Sequence, residues 1–281
     1  MSFDFDRKDK IKRFLKGILC VPKCVSCGER LPIDRLDDGE NVLCDKCRAA
    51  WEKSKRTVCP KCGKNLSECV CITDALAESC CSVLMSLVPY NHESAMYRHV
   101  VQSVLFRIKD YNDSELSNFL AKELCFRVLG LAYEIGSENI FVTFAPRSAK
   151  AKASAGHDQS EILAKKLSKY LGAKFCHAIK RKNVFSGRTP QKMLSESERL
   201  ANAQRSYAPT REIDKIKGRC IILVDDIATT GATLAACTGI LKSAGAGSVI
   251  CLTVAKSVFE AEQDEVEIID PKQLSETEGQ K

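Results

Sequence analysis

Short apolar runs alternate along most of this chain with longer stretches whose apolar residues recur at helical spacing. Residues 80–90 read as a strand leading to Pro89-Tyr90. Helices are predicted over 94–107 and 114–135, and a short apolar strand from Ile140 to Ala145, ending at Pro146-Arg147-Ser148. A helix from about Asp158 to Leu171 follows, with Gly172 as its stop signal. Phe175 to Ile179 reads as a third strand. Residues 182–207 are polar and basic, contain Pro190, and carry one helix over about 195–204. A strand over 220–225, a helix over 231–243 and a strand from Ser248 to Ala255 complete the pattern. Strands alternating with helices predict an α/β domain with a mostly parallel sheet and flanking helices. After Ser257 the periodicity fades, and the tail is expected to be disordered.

The N-terminal quarter follows another logic. Residues 1–19 are charged and mildly amphipathic through Ile11, Phe14, Leu15, Ile18 and Leu19. They lack the apolar centre and cleavage site of a signal peptide. Nine of the sixteen cysteines then fall before residue 72. Eight form pairs: Cys24 with Cys27, Cys44 with Cys47, Cys59 with Cys62, and Cys69 with Cys71. Paired thiolates at this spacing can grip one tetrahedral metal, and Gly28 and Gly63 permit the tight turn after a pair. The sequence between the pairs is too polar for a core, so a domain of this size needs a staple.

Residues 20–75 therefore read as a double zinc ribbon with two structural Zn²⁺ sites. The simplest assignment is Cys24/Cys27/Cys44/Cys47 and Cys59/Cys62/Cys69/Cys71; an interleaved cross-brace is the alternative. Four thiolates close the shell and leave no open position for a substrate. Cys80, Cys81, Cys125, Cys176, Cys220, Cys237 and Cys251 sit in apolar or helical contexts and read as packing residues.

Charge sharpens the picture. The net charge is +7, but 147–219 holds 18 Lys/Arg against 6 Asp/Glu, and 260–281 holds 8 acids against 2 bases. The basic segment favours an anionic partner, a polyphosphate or nucleic acid. No run approaches the ~18 apolar residues of a membrane span, and a cytoplasmic protein with no membrane partner is expected.

The densest chemistry lies in Ile221-Ile222-Leu223-Val224-Asp225-Asp226-Ile227-Ala228-Thr229-Thr230-Gly231-Ala232-Thr233-Leu234. An apolar strand runs into two acids, then a small hydroxyl-rich loop, then a helix start. Ligands of open α/β sheets bind beyond the carboxyl ends of the strands. A helix N-terminus behind a small-residue loop holds phosphate, and adjacent carboxylates accept hydrogen bonds from neighbouring ribose hydroxyls. Those parts suit a sugar phosphate.

This stretch closely resembles the phosphoribosyl pyrophosphate (PRPP) motif of type I phosphoribosyltransferases. Cysteine-pair ribbons ahead of it resemble the ComF, or competence protein F, family. Further segments fit that family in order: Tyr90 with Lys109, Pro146-Arg147, Gly156-His157-Asp158-Gln159, and Arg188-Thr189-Pro190-Gln191 with Leu194, Arg199 and Asn202. The similarity covers about residues 12–257.

The resemblance implies a type I phosphoribosyltransferase fold over 76–257, behind the ribbon and ahead of an acidic tail, 258–281. It assigns Asp225 and Asp226 to the ribose hydroxyls and their Mg²⁺ shell, as the catalytic acids. It assigns Ala228, Thr229, Thr230, Gly231, Ala232 and Thr233 to the 5′-phosphate, and Pro146, Arg147 and Ser148 to the pyrophosphate. Arg188, Thr189 and Gln191 become a cover loop. It further implies a role in competence, with single-stranded DNA and a competence helicase as partners. Transfer of phosphoribosyl to an unidentified acceptor is one outcome. A non-catalytic DNA- or partner-binding adaptor with PRPP as regulatory ligand is the other.

The chain departs from the family at Ala155, where an Arg is expected, and at His157 and Asp158, which stand for Phe and Asn. The first departure puts pyrophosphate binding, and so catalysis, in question. His157 has no partner visible in the sequence and reads as a packing or surface residue.

Overall fold

The computed structural model describes residues 22–32, 42–81, 83–182 and 205–258. The amphipathic segment 1–19, the cover loop with Arg188, Thr189 and Gln191, the expected helix at 195–204 and the tail beyond Val258 lie outside the described residues.

Five strands form one all-parallel sheet in the order β1-β7-β6-β2-β3. They are β1 (Val83–Pro89), β2 (Ile140–Phe144), β3 (Lys174–Phe175), β6 (Cys220–Ala228) and β7 (Ser248–Lys256). Side chains alternate cleanly along the central strands. On β6, Ile222 and Val224 enter one apolar cluster, and Ile221 and Leu223 enter the other. On β7, Ile250 and Leu252 face the first side, and Val249 and Cys251 the second. Both faces are covered, as a parallel sheet requires.

The first face carries α1 (Asp45–Lys55), α3 (Ala95–Asp110), α4 (Ser114–Ile135) and α6 (Gln159–Leu171). The second carries α2 (Asp74–Ala77), α7 (Ala232–Ser243) and a two-stranded antiparallel unit of β4 (Ile179–Arg181) and β5 (Tyr207–Pro209). α6 follows β2 and α7 follows β6, and these two strands are neighbours whose helices leave to opposite faces. Such a switch point opens a crevice at the carboxyl ends of its strands.

Several elements differ from the sequence reading. The expected strand over 175–179 is divided. β3 pairs with β2, whereas Ile179 starts β4 in the separate unit. The chain turns between them because Phe175 packs on the first face, while Cys176, Ala178 and Ile179 are buried in the second. A helix not read in the sequence, α5 (Ala149–Ala155), fills the loop after β2, capped by Ser148 and ended by left-handed Gly156. Cys80 is exposed rather than packed.

The ribbon does share the main core. Cys24, Cys44 and Cys47 are buried in the cluster that holds Met85 and Leu87 of β1. Trp51 of α1 is 0% exposed and lies 5.9 Å, centroid to centroid, from Phe119 of α4. The polar composition of 20–75 hid this, because a few residues carry the docking.

Candidate sugar-phosphate site

The two acids sit on β6 itself rather than after it. The strand continues to Ala228, with Asp225 paired to Thr253 and Ala228 to Lys256 of β7. Asp225 is buried and Asp226 half-buried. Asp225 Oδ1 accepts from Ser160 Oγ at 3.0 Å and from the Asp226 N–H at 2.9 Å. Asp226 Oδ2 accepts from Gln159 Nε2 at 2.6 Å, and its Oδ1 from the Ile227 N–H at 2.7 Å. Lys109 Nζ stands 3.9 Å from Asp226 Oδ2. Burial, with the neighbouring negative Asp226, holds the Asp225 carboxyl well above the usual carboxylate range, against the bonds it accepts. A cation or a polyol hydrogen-bonded there relieves that penalty.

The loop after β6 turns at left-handed Gly231 (φ +80°), which leads into α7. Two features require glycine here. A positive φ strains other residues, and a Cβ would collide with the Thr73 hydroxyl and lie 3.4 Å from Leu76. Thr229 is exposed and Thr230 and Thr233 are half-buried, and the Ala232 N–H donates to Thr230 Oγ1 at 3.4 Å at the start of α7. A helix N-terminus offers four unpaired N–H groups, the arrangement that holds a phosphate.

The neighbouring wall is the segment from β2 to α6. Ala145 N–H donates to Val224 O at 3.0 Å, tying Pro146 to the end of β6. Arg147 N–H donates to Asp158 Oδ2 at 3.0 Å, and its guanidinium to Lys109 O at 3.0 Å. Asp158 caps α6 through the Glu161 N–H. Burial raises the Asp158 carboxyl, opposed by the Arg147 N–H and by Lys152, 3.6 Å away. Lys152 also pairs with Glu161 at 3.2 Å. His157 is buried, with Nδ1 2.8 Å from Ala155 O and Nε2 3.1 Å from Ile108 O. It fastens α3 to the α5–α6 turn, as a packing residue does.

Pro146, Arg147, Asp225, Asp226 and the 228–233 loop thus converge on one edge. Gln159, Ser160 and Lys109 were not assigned to it from the sequence. Gln159 and Lys109 stand in segments quoted for the family resemblance, and Ser160 had only its place at the start of a helix after Asp158 as a signal.

The eight ribbon cysteines gather into the two sequential groups, not a cross-brace. In each group the Sγ atoms lie within 4.8 Å of one another, and Cys27 Sγ is 3.6 Å from Cys44 Sγ. Four soft donors at that spacing fit a tetrahedral zinc. The two adjacent carboxylates are hard oxygen donors of the kind that suits a cation such as Mg²⁺.

Residues 157–278 match the family model of the phosphoribosyl transferase domain. With the parallel sheet and the acids at its carboxyl edge, this defines a domain of phosphoribosyltransferase type. The chain is 24% identical over 211 residues to DNA utilization protein YhgH of Escherichia coli K12, covering 74% of this chain and 87% of that protein. Together these likenesses support a ComF-like protein of phosphoribosyltransferase type. Among solved structures it is similar to the allosteric regulatory enzyme of purine biosynthesis, at 18% identity and TM-score 0.34. That likeness covers 54% of this chain and only 30% of the other. The purine phosphoribosyltransferase of Pyrococcus horikoshii aligns at 16% identity and TM-score 0.32, covering 57% and 96%. At those scores the domain match and the observed topology carry the assignment. No helix among the described residues is long and apolar enough to cross a membrane.

Proposed function

We propose that this chain binds PRPP with Mg²⁺ at the carboxyl edge of its sheet and acts in the cytoplasm in the handling of incoming DNA. One observation carries the ligand reading: two carboxylates at the end of central β6 lead through a hydroxyl-rich loop into left-handed Gly231 and the start of α7. Asp225 and Asp226 hold the ribose hydroxyls, each fixed by a side chain of α6. The amides and hydroxyls of 228–233 hold the 5′-phosphate. Pro146, Arg147 and Ser148 face the pyrophosphate. Mg²⁺, when bound, neutralises charge on the pyrophosphate oxygens. The remaining contribution of the protein is positioning and fixed electrostatics. The DNA role draws on the DNA utilization relatives and on the basic segment 147–219. Single-stranded DNA and a helicase are the partners this reading names.

A specific observation favours the adaptor reading over turnover. The Arg147 guanidinium is engaged by Lys109 O, Lys152 is engaged by Asp158 and Glu161, and Ala155 supplies no cation. Among the described residues, Arg147, Lys152 and Ala155 thus offer the pyrophosphate no unengaged cation, which suits a protein that senses PRPP rather than consumes it.

Calorimetry with PRPP and Mg²⁺ tests both readings. Saturable binding that is lost in Asp225→Asn/Asp226→Asn is the expected result. No heat from the intact protein overturns the ligand reading. Pyrophosphate released steadily with any acceptor overturns the adaptor reading.

A further inference from the structure

The second cysteine cluster reaches the ligand edge of the sheet at three points. Lys256, the last residue of β7, is only 4% exposed. Its Nζ donates to Cys69 Sγ at 3.1 Å and to Cys71 O at 3.4 Å. Among the described residues it pairs with no carboxylate, and a buried ammonium needs an opposite charge. Four thiolates around one divalent zinc would carry that charge. Arg127 of α4 adds a bond to Cys69 O at 2.6 Å.

The second point is Thr73, two residues beyond Cys71. Its side chain lies against Gly231 of the phosphate loop, and its buried Oγ1 has no hydrogen-bond partner. The third is the end of β7 itself. Lys256 is in register with Ala228, and the Ser257 N–H donates to Ala228 O at 2.9 Å. Cluster, strand end and phosphate loop are therefore one contiguous packing unit.

We propose that the second cysteine cluster is a metal-dependent support for the phosphate loop, with Lys256 and Thr73 as the positioning residues that link its occupancy to Gly231. This rests on reading 228–233 as a phosphate site. With zinc in place, the Lys256 ammonium is paired and the segment 69–76 is pinned against α7. Without it, nothing holds the four Sγ atoms together, the bonds of Lys256 to Cys69 and Cys71 lose their fixed partner, Thr73 withdraws from Gly231, and the loop loosens. By linkage, a phosphate ligand that needs the ordered loop raises the affinity for zinc by the factor by which zinc raises its own.

The test uses the zinc-loaded full chain and three variants: Cys71→Ser, Lys256→Met and Thr73→Ala. Zinc content, hydrogen–deuterium exchange of 228–236, and calorimetry with PRPP and Mg²⁺ are measured on each. Cys71→Ser is expected to fall from two zinc ions per chain to one and to exchange at least tenfold faster at 228–236. Exchange over α1, beside the first cluster, serves as the internal check against general unfolding. Lys256→Met loses its second zinc faster to a chelator. Thr73→Ala keeps both ions yet exchanges faster in the loop, and binds PRPP at least tenfold more weakly. Exchange at 228–236 that stays at the wild-type rate in Cys71→Ser, once zinc has fallen to one, overturns the coupling. Wild-type protein that binds no PRPP while the loop still responds to zinc overturns the ligand reading and leaves the coupling standing.

Discussion

The two cysteine clusters look alike in sequence and are built into the molecule in opposite ways. The first docks through apolar packing. Cys44 and Cys47 start α1, and α1 drives Trp51 into the core against Phe119. The second has a small apolar centre of Cys59, Leu66 and Cys69, and meets the body through Lys256, Arg127 and the Leu84 N–H on Val70 O. One end of the molecule is held by buried area and the other by polar bonds around a charge. Buried area contributes to stability whatever is bound; bonds to a cysteine cluster do so only while a metal holds its thiolates in place.

The largest effect that sharpens this contrast is expected from Trp51→Ala. The side chain is fully buried between α1 and α4. Its loss costs about 3–5 kcal/mol by the usual range for large-to-small core changes. Urea unfolding should show it, with the affinity for PRPP of the remaining folded protein unchanged. A loss of affinity as large as the loss of stability would erase the distinction between the two ends.

Gly231→Ala is the counterpart at the ligand edge. The backbone strain of a positive φ costs about 1–3 kcal/mol, and the new methyl strikes Thr73. PRPP affinity is expected to fall at least a hundredfold by calorimetry, with a smaller drop in melting temperature than Trp51→Ala gives. Equal binding by Gly231→Ala would show that the loop does not form the phosphate site.

The ease with which each end was read follows the same divide. Strands β6 and β7 and helices α4, α6 and α7 were legible because apolar periodicity depends only on which residues face a core. The acids and the small-residue loop were legible because the chemistry sits in one short segment. Gln159 and Ser160 were not, because their role depends on α6 packing its first turn against β6. The split of 175–179 was hidden for a related reason: five mostly apolar residues do not reveal which sheet each half joins. The attachment of the ribbon rests on Trp51 and Lys256, single residues whose partners lie far along the chain.

Asp225 separates stability from function at one residue. Its folded-state carboxyl is raised well above the ordinary value by burial and by Asp226. The folded, ligand-free protein therefore holds a proton that the unfolded chain has released, and stability falls as pH rises from the ordinary carboxylate range toward the raised folded value. Asp225→Asn removes that burden. It should raise the melting temperature of the ligand-free protein at neutral pH, flatten this part of its pH dependence, and abolish PRPP binding. A lower melting temperature with unchanged pH dependence would mean that the bonds from Ser160 and the Asp226 N–H outweigh the cost of burial.

The smallest effect is expected back at the first cluster, from Glu123→Gln. Glu123 pairs with Lys55, and both side chains are 17% exposed. It also accepts from Trp51 Nε1 at a long 3.5 Å. The glutamine keeps an acceptor for the indole and loses only the charge. Pairs near a surface are worth about 0–1 kcal/mol, so the urea midpoint should move little, and less in high salt. If apolar packing holds this end, Trp51→Ala and Glu123→Gln must differ by several-fold in stability. A Glu123→Gln loss approaching that of Trp51→Ala would mean that the first cluster, like the second, is held through charge, and the contrast between the two ends would fail.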